Sequence, residues 1–396
     1  MENSSFLHVI VSQQWLNLFD MARHKITLLT HEFPPRRGGA GVYCEEMAHA
    51  AASLGYEVNV WSPGKSDPES NDQYPYSLRS LPLRGSQDWR CSLRLIREVR
   101  KNASDFTGGI LHLAEPGPLR AFVRLGSFAK LSSTRLLITL HGSEIPLFSR
   151  FPLEKFLFRK LLRKADGIHL LSHFNKKALL SRFPELASKV VLAPGAARRL
   201  FLPENKDNKS EKTEDKLRIL TVGRLHPRKG QDRILEAIRQ MPNELKAGLE
   251  YYVIGPEVRP HYARGLREQA DSSGVPVHFL GDLPDHDVRI AYGSSDLFAL
   301  TSVPHPRSVE GFGFVYLEAA AHGLPALAHR TGGVEDAVVH NETGLLADPN
   351  DSEDLARSLE RLLRDDELRL RLGQKARERA AGFTWKQTAK TLYGEA

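Results

Sequence analysis

The sequence predicts an α/β protein made of two doubly wound domains in tandem. Short apolar runs that are typical of buried parallel strands alternate with helical segments along most of the chain. The 396 residues also exceed what a single hydrophobic core usually serves. A polar, mostly charged segment at residues 203–216 interrupts the alternation and predicts a linker. We therefore expect a first domain at residues 1–202 and a second at residues 217–383.

The first domain begins with an apolar and aromatic stretch at residues 1–22. This extension lacks the basic region and cleavage site of a signal peptide. Two interpretations stay open: an anchor in a membrane interface, or an upstream extension with Met21 as the true start. The elements that follow are strands at 25–31, 57–62, 110–114, 135–141, 167–172 and 190–192, and helices at 42–54, 89–101, 119–131 and 151–164. The segment 384–396 carries Trp385 and Tyr393, and we expect it to pack back on this domain.

The second domain repeats the same alternation. Strands are predicted at 217–223, 249–254, 277–280, 297–300, 325–328 and 344–346, with helices between them and across residues 352–380. Open α/β sheets bind their ligands beyond the carboxyl ends of the strands. We therefore expect the strand ends of the two domains to face a central crevice that holds a ligand.

Charge and composition limit the partners and the compartment. Residues 1–200 contain 28 Lys and Arg and 17 Asp and Glu, a net charge of +11, whereas the whole chain has +7. The basic half predicts an anionic partner, which could be a phospholipid surface, an acidic glycolipid or nucleic acid. The alternative is a basic surface that contacts only solvent. Only two cysteines and no run of eighteen apolar residues predict a cytoplasmic protein without a spanning helix, with membrane association as a further option.

A glycine-rich loop follows the first strand. Gly38 and Gly39 precede a predicted helix, whose N-terminus could bind an anion. A dinucleotide-binding fingerprint would need glycine where Cys44 stands, so that motif fails. His141 ends a later strand and precedes Gly-Ser-Glu, so it lies where open α/β sheets bind their ligands. The alternative is that this histidine has only a structural role.

The stretch Glu310 to Gly333 carries the strongest site pattern. Glu310 and Glu318 stand eight residues apart, and Gly311 and Gly313 follow the first of them directly. Glycines let backbone N–H groups approach an anion, and the helix that follows adds a partial positive charge. Two acids around such a loop suit a sugar joined to a phosphate, whereas the plainer alternative is a loop with surface acids.

Two cations complete the pattern in the second domain. Arg224 and Lys229 lie in GRLHPRKG, between a strand and a helix, where they could clamp a diphosphate. Asp285-His286-Asp287 has the letters of a metal site, but it opens a helix, where Asp is expected as a cap. We therefore expect no metal and no other cofactor.

Taken together, GRLHPRKG, EGFGFVYLE, GLPALA, TGG and the weaker TLHGSE resemble the retaining glycosyltransferases of the GT-B class, family 4 (glycosyl transferases group 1). The resemblance implies two Rossmann-like domains and a metal-independent transfer in which a donor phosphate oxygen takes the acceptor proton. It implies that Arg224 and Lys229 bind the donor diphosphate, Glu318 the ribose and Glu310 the transferred sugar, while His141 lines the reacting centre. The implied backbone contacts to the donor come from Gly38, Gly39, Gly311, Phe312, Gly313, Phe314 and Val315.

The function that this resemblance implies is transfer of a hexose, glucose or mannose, from a nucleotide sugar to a lipid-linked, glycan or other anionic acceptor. The alternatives are a nucleotide-sugar epimerase of the same fold and a non-catalytic protein that binds sugar nucleotides or nucleic acid. The basic residues are not interleaved with a platform of aromatics, so we expect no nucleic acid. The basic helix at 151–164 either covers the sheet or contacts an anionic membrane.

Overall fold

The computed structural model describes residues 25–34, 38–64, 74–129, 131, 133–203, 216–305 and 308–395. The predicted extension at residues 1–22 and nearly all of the predicted linker lie outside the described residues. The chain divides into two compact units: Met1–Gly195 with Thr384–Ala396, and Ala196–Phe383. Among the described residues, no helix has the length and apolar character needed to cross a membrane.

The first unit contains a seven-stranded parallel sheet in the order β3-β2-β1-β4-β5-β6-β7. Its strands are β1 (Lys25–Leu29), β2 (Glu57–Pro63), β3 (Ser77–Leu81), β4 (Ile110–Leu113), β5 (Arg135–Leu140), β6 (Gly167–Leu170) and β7 (Val190–Leu192). Its helices are α1 (Gly39–Ser53), α2 (Trp89–Lys101), α3 (Pro116–Leu125), α4 (Glu144–Phe148), α5 (Pro152–Lys164) and α6 (His173–Leu180), and, at the C-terminal end of the chain, α15 (Trp385–Tyr393).

Helices cover both faces of this sheet, which explains the apolar runs of its central strands. All four residues of β4 and of β6 are buried. Local signals set the helix starts: the Asp88 side chain accepts a hydrogen bond from the Cys91 N–H, and the Glu115 side chain accepts one from Gly117. Pro116 fits the first turn of α3, so this helix begins three residues before the predicted position.

A buried polar chain joins α15 to the sheet of the first unit. The Tyr393 hydroxyl lies 2.7 Å from Nδ1 of His112, whose Nε2 lies 2.7 Å from the Thr139 hydroxyl. Tyr43 of α1 bridges Thr139 and His169 Nδ1 at 2.9 Å each. Burial is the main cause that lowers the pKa of both histidines, to about 4 for His169. The segment 384–396 thus packs within the first unit.

The second unit contains a six-stranded parallel sheet in the order β10-β9-β8-β11-β12-β13. Its strands are β8 (Leu217–Val222), β9 (Leu249–Ile254), β10 (Val277–Gly281), β11 (Leu297–Leu300), β12 (Ala326–His329) and β13 (Gly344–Ala347). Its helices are α7 (Gln231–Gln240), α8 (Asn243–Lys246), α9 (Pro260–Asp271), α10 (Asp285–Gly293), α11 (Phe314–Ala321), α12 (Val334–Ala337), α13 (Ser352–Arg364) and α14 (Asp366–Ala381).

The boundary between the units lies earlier than the sequence predicts. Residues 196–202, which we assigned to the first domain, belong to the second unit. The buried Arg198 donates to Asp285 at 2.8 Å, and the Phe201 carbonyl lies 2.8 Å from Nε2 of His322. The charged residues at 203–216 mark only where the stretch 196–202 ends. They do not show where it belongs, because that depends on contacts with residues far away in the sequence.

Candidate functional site

Three loops of the second unit meet where adjacent strands end. The β8 loop contains Arg224 to Gly230, the β11 loop contains the described residues 301–305 and 308–313, and Thr331 to Gly333 follow β12. β11 pairs with both β8 and β12 in parallel, so their carboxyl ends lie at the same edge of the sheet. This edge is where doubly wound sheets bind ligands.

The β8 loop is fixed against the β11 loop by backbone contacts. The Val303 N–H donates to the Arg228 carbonyl at 2.9 Å, and the Thr301 hydroxyl donates to the Gly230 carbonyl at 2.7 Å. Gly230 adopts a left-handed conformation with φ 71°, and a Cβ there would overlap the Thr301 carbonyl oxygen. The two loops therefore hold Arg228 and Lys229 in a defined position.

The carboxylate of Glu310 is the centre of this arrangement. Its Oε2 atom accepts from Lys229 Nζ at 2.7 Å, from Arg228 Nη1 at 3.0 Å and from the Ser302 hydroxyl at 3.0 Å. The side chains of Arg228, Lys229 and Glu310 are only 11–13% exposed. All three donors bind the same oxygen, which leaves Oε1 with no hydrogen bond to a described residue.

The electrostatics of this cluster favour charged side chains and a further anion. Burial raises the pKa of Glu310, but the charges of Lys229 and Arg228 with their hydrogen bonds outweigh it and lower that pKa to about 2. Burial also lowers the pKa of Lys229 despite its partner Glu310, with Arg228 and Arg224 adding to the effect. One carboxylate therefore does not compensate the three cations.

Arg224 and Arg228 differ from the sequence-based picture. The exposed Arg224 side chain acts on Lys229 through its charge, whereas Arg228 binds Glu310 directly. Burial lowers the pKa of the neighbouring His226, and the charges of Arg228, Arg224 and Arg259 lower it further. Sequence reasoning missed Arg228, although its place next to Lys229 in a short, glycine-closed loop was a signal.

The predicted backbone nest follows Glu310. Gly313 has φ 86° and directly precedes α11, whose first residues are Phe314 and Val315. Phe312 is buried and its ring packs near Phe314 and Phe383, at centroid distances of 5.9 and 6.3 Å. Gly311 to Val315 thus form a tight entry into a helix N-terminus, where backbone N–H groups favour an anion.

The glycine pair after β12 supports the backbone of Glu310. The Gly333 N–H donates to the Glu310 carbonyl at 2.8 Å. Gly332 has φ 58°, and a Cβ on it would overlap the same carbonyl oxygen. The TGG motif therefore positions the residue that carries the central carboxylate.

Glu318 lies in the interior of the second unit, on α11. Its side chain is buried, with the residue 3% exposed, and Oε2 accepts from the Tyr292 hydroxyl at 2.9 Å. Tyr292 stacks on His322 with ring centroids 5.7 Å apart. Neither Glu310 nor Glu318 is therefore a surface acid, and that plainer interpretation of the motif is wrong.

In the first unit, His141 follows β5 and is held from two sides. Its Nε2 lies 2.9 Å from the Ala114 carbonyl, and its ring meets Tyr43 edge-on at 5.1 Å. The buried Glu144 accepts from the His141 N–H at 3.2 Å and from the Gly142 N–H at 2.8 Å. Gly142 has φ 119°, a conformation that favours glycine, so the TLHGSE motif builds a turn that Glu144 closes.

A second buried glutamate stands at the same edge of the first sheet. Glu115 accepts from the N–H groups of His31 and Gly117 at 2.7 and 2.8 Å. Burial, with the charges of Glu32 and Glu144, raises the pKa of Glu115 to about 8 although these hydrogen bonds lower it. Sequence reasoning missed Glu32, Glu115 and Glu144, because only the fold brings the ends of β1, β4 and β5 together.

Gly38 and Gly39 stand at the start of α1. Gly38 is the N-cap in an extended conformation, and a Cβ there would overlap the Glu32 carboxylate. A Cβ on the exposed Gly39 would meet nothing within 4 Å. Within the described part of these strand ends, the charges of Glu32, Glu115 and Glu144 lie close to one another.

Neither unit offers a clustered metal site in the parts that the structure describes. There, no group of three or more His, Cys, Asp or Glu side chains could hold a metal ion. Asp285 of the Asp-x-Asp sequence pairs with Arg198. The expected independence of metal stays a prediction.

Comparisons with known proteins cover both units. The family model "Glycosyltransferase Family 4" matches residues 37–197, and "Glycosyl transferases group 1" matches residues 203–379. A Mycobacterium tuberculosis relative, named GDP-mannose-dependent α-(1-6)-phosphatidylinositol monomannoside mannosyltransferase, is 25% identical over 93% of this chain and 97% of its own. A D-inositol 3-phosphate glycosyltransferase from Corynebacterium efficiens is 35% identical over 52% of this chain and 50% of its own.

Solved structures share the fold. An Anabaena protein in complex with UDP and glucose aligns with a TM-score of 0.72 and 20% identity, covering 92% of this chain and 97% of its own. The sucrose-phosphate synthase of Thermosynechococcus elongatus aligns with a TM-score of 0.76 and 22% identity, covering 93% and 96%. The two parallel sheets of this chain are thus those of the GT-B fold.

Proposed function

The chain belongs to glycosyltransferase family 4 and has the GT-B fold, and from this premise we propose that it is a retaining, metal-independent hexosyltransferase. The family matches make it a glycosyltransferase and exclude the non-catalytic alternative. The donor is a nucleoside diphosphate sugar. The acceptor is lipid-linked, and the protein acts at an anionic membrane on the cytoplasmic side.

One observation carries the donor assignment. Arg224, Arg228 and Lys229 bring three positive charges to the β8 loop, and Glu310 supplies one negative charge, so the cluster keeps a net charge of +2. A diphosphate with two ionised oxygens matches this excess. Preorganised cations at the leaving group also stabilise the charge that develops when the sugar–phosphate bond breaks.

The geometry of the second unit supports our proposal for the remaining donor contacts. The diphosphate replaces Glu310 as the partner of Lys229 and Arg228, and the nest from Gly311 to Val315 adds backbone N–H groups. The Oε1 atom of Glu310, which has no described partner, then accepts from a sugar hydroxyl. Glu318 receives a ribose hydroxyl in exchange for its bond to Tyr292.

For the first unit, we place His141 at the transferred sugar, with Gly38 and Gly39 near the donor phosphates. The His141 imidazole is oriented by the hydrogen bond that its Nε2 donates to the Ala114 carbonyl, and Glu144 fixes the backbone by accepting from the His141 N–H. Configuration is retained because the acceptor attacks the face from which the diphosphate leaves, and a donor phosphate oxygen takes its proton. No side chain is assigned as a general base in this route.

The sugar and the acceptor are argued from the relatives. Several relatives that align over most of the chain are named as GDP-mannose-dependent enzymes acting on phosphatidylinositol monomannoside. Mannose from GDP-mannose and an inositol phospholipid acceptor are therefore our first choices, and glucose from UDP-glucose is the second.

The test is transfer of labelled hexose from GDP-mannose or UDP-glucose to phosphatidylinositol or its monomannoside, with a chelator present. We expect product from one donor at undiminished rate in the chelator, and an α linkage by NMR. A β-linked product would overturn retention, and activity lost in the chelator and restored by a divalent cation would overturn metal independence. Interconversion of the donor sugar without acceptor would favour the epimerase alternative.

A further inference from the structure

The first unit carries its basic excess on one layer of helices. β3 to β7 are added in one direction across the sheet, so the right-handed crossover rule puts α2, α3, α5 and α6 on one face and α1 on the other. α3 packs against both α2 and α5. Residues 150–189, around α5 and α6, contain ten Lys and Arg but three Asp and Glu.

Helix α5 is amphipathic, and its outer face is apolar as well as basic. Phe158, Leu161 and Leu162 are buried against the core of the unit. On the opposite side, Leu153 and Phe156 are 69% and 61% exposed. Side chains of this size usually lie inside a folded protein, so their exposure in adjacent turns requires an explanation.

Basic side chains follow the exposed apolar ones along the outer face of α5, and together they form one stripe. Lys160 and Lys164 follow Leu153 and Phe156 at the spacing of one helical face, and all four are exposed. The thirteen residues of α5 contain five Lys and Arg and one Glu. An apolar first half followed by a cationic second half is the pattern of a helix that lies in a membrane interface.

The exposed apolar residues around α5 lie near the carboxyl ends of the strands. Phe151, which precedes α5, is 55% exposed, and Phe174 in the first turn of α6 is 40% exposed. A helix that follows a parallel strand begins at that strand's carboxyl end, where His141 also lies. We call Phe151, Leu153, Phe156 and Phe174 the apolar rim.

We propose that the apolar rim and the cations of α5 dock the first unit onto an anionic phospholipid bilayer. The charge selects this occupant: an excess of positive side chains around an apolar patch matches acidic head groups over acyl chains. Docking through the whole stripe lays α5 along the bilayer, so the strand ends of the unit stay beside the lipid head groups. The assignment stands on α5 itself and does not depend on the identity of the donor or acceptor.

The test is flotation of the full chain with vesicles, without donor or acceptor, so that its outcome is separate from that of the transfer assay. We expect binding to phosphatidylcholine vesicles that contain phosphatidylglycerol, and at least tenfold weaker binding to phosphatidylcholine alone. Equal affinity for both vesicles, or for neither, would overturn the proposal.

Variants locate the surface. Leu153→Ser with Phe156→Ser should weaken vesicle binding at least tenfold, whereas the matched Leu370→Ser, in the second unit and 66% exposed, should not. Lys160→Glu with Lys164→Glu should also weaken vesicle binding at least tenfold, whereas the control Lys386→Glu, on α15, should not. Unchanged melting temperatures establish that the variants fold. The proposal would be contradicted if both double variants bound vesicles as tightly as the wild type. It would also be contradicted if the protein formed a dimer in solution that the Leu153 and Phe156 changes abolish, because a second copy would then cover this surface.

Discussion

Replacing Glu310 by glutamine tests the cation cluster of the second unit with two effects of opposite sign. Glutamine keeps the size of the side chain but removes the charge between Lys229 and Arg228. The pKa of Glu310 falls from 4.5 to about 2 in the folded protein. At 1.36 kcal/mol per pKa unit, its ionisation contributes about 3 kcal/mol of stability at neutral pH.

The sign of this contribution follows from the lowered pKa. The stability is fully present above pH 4.5 and is lost as the pH falls towards 2. At pH 7 we therefore expect Glu310→Gln to lower the free energy of unfolding by about 3 kcal/mol in urea denaturation. The matched change Glu335→Gln, in an exposed pair with Arg330, should cost less than about 1 kcal/mol.

The same variant should bind a nucleoside diphosphate more tightly. In the wild type the diphosphate competes with Glu310 for Lys229 and Arg228, and the variant removes the competitor. We expect about tenfold tighter GDP or UDP binding by calorimetry, a gain of about 1.4 kcal/mol, together with loss of transfer. Weaker binding of both nucleotides by Glu310→Gln would refute the exchange of partners, and unchanged stability would refute the buried ion pairs.

Three further predictions concern the loops and the core. Gly230→Ala should destabilise the protein by roughly 2 kcal/mol or more in urea, because φ 71° is strained and Thr301 leaves no room; an unchanged midpoint would contradict this. Arg228→Ala should weaken nucleoside diphosphate binding by about 1.5–3 kcal/mol in the same calorimetry. Replacing the exposed Arg224 by alanine should weaken it by less. The reverse order would mean that Arg224 and not Arg228 binds the diphosphate, as the sequence alone predicts. The depressed pKa of His169, about 4, means that its contribution to stability is full above pH 6.5 and falls towards pH 4. Between pH 7 and pH 5 the wild type should therefore lose about 2 kcal/mol more stability than His169→Gln in urea denaturation, and an equal change in both proteins would contradict it.

The sequence predicted the regular part of the fold well. The limits of α2, β7, β9 and β11 match the prediction to the residue, because each is a periodic or fully apolar run with polar ends. The edge strand β3 was not predicted, since only two of its five residues are apolar and most of the strand is half-exposed. α1 begins at Gly39 and not at Val42, because glycine propensity does not oppose a helix start as it does a helix interior.

The candidate site was predicted in its motifs but not in its pairings. Glu310 and Lys229 were named from separate motifs 81 positions apart, and the structure joins them. Arg228 and Ser302 were missed because a sequence shows which residues are charged or polar but not which loops of a parallel sheet touch. Buried supports such as Glu144 and Tyr292 were missed for the same reason.

The central claim is that the second unit recognises a diphosphate, and titration calorimetry of the wild type tests it most directly. Nucleoside diphosphate and monophosphate with the same base are compared in a chelator, and the comparison is repeated with Lys229→Ala. The account predicts that the wild type prefers the diphosphate at least tenfold and that Lys229→Ala loses most of this preference. Equal affinity for the two nucleotides, or a preference that survives in Lys229→Ala, would contradict it.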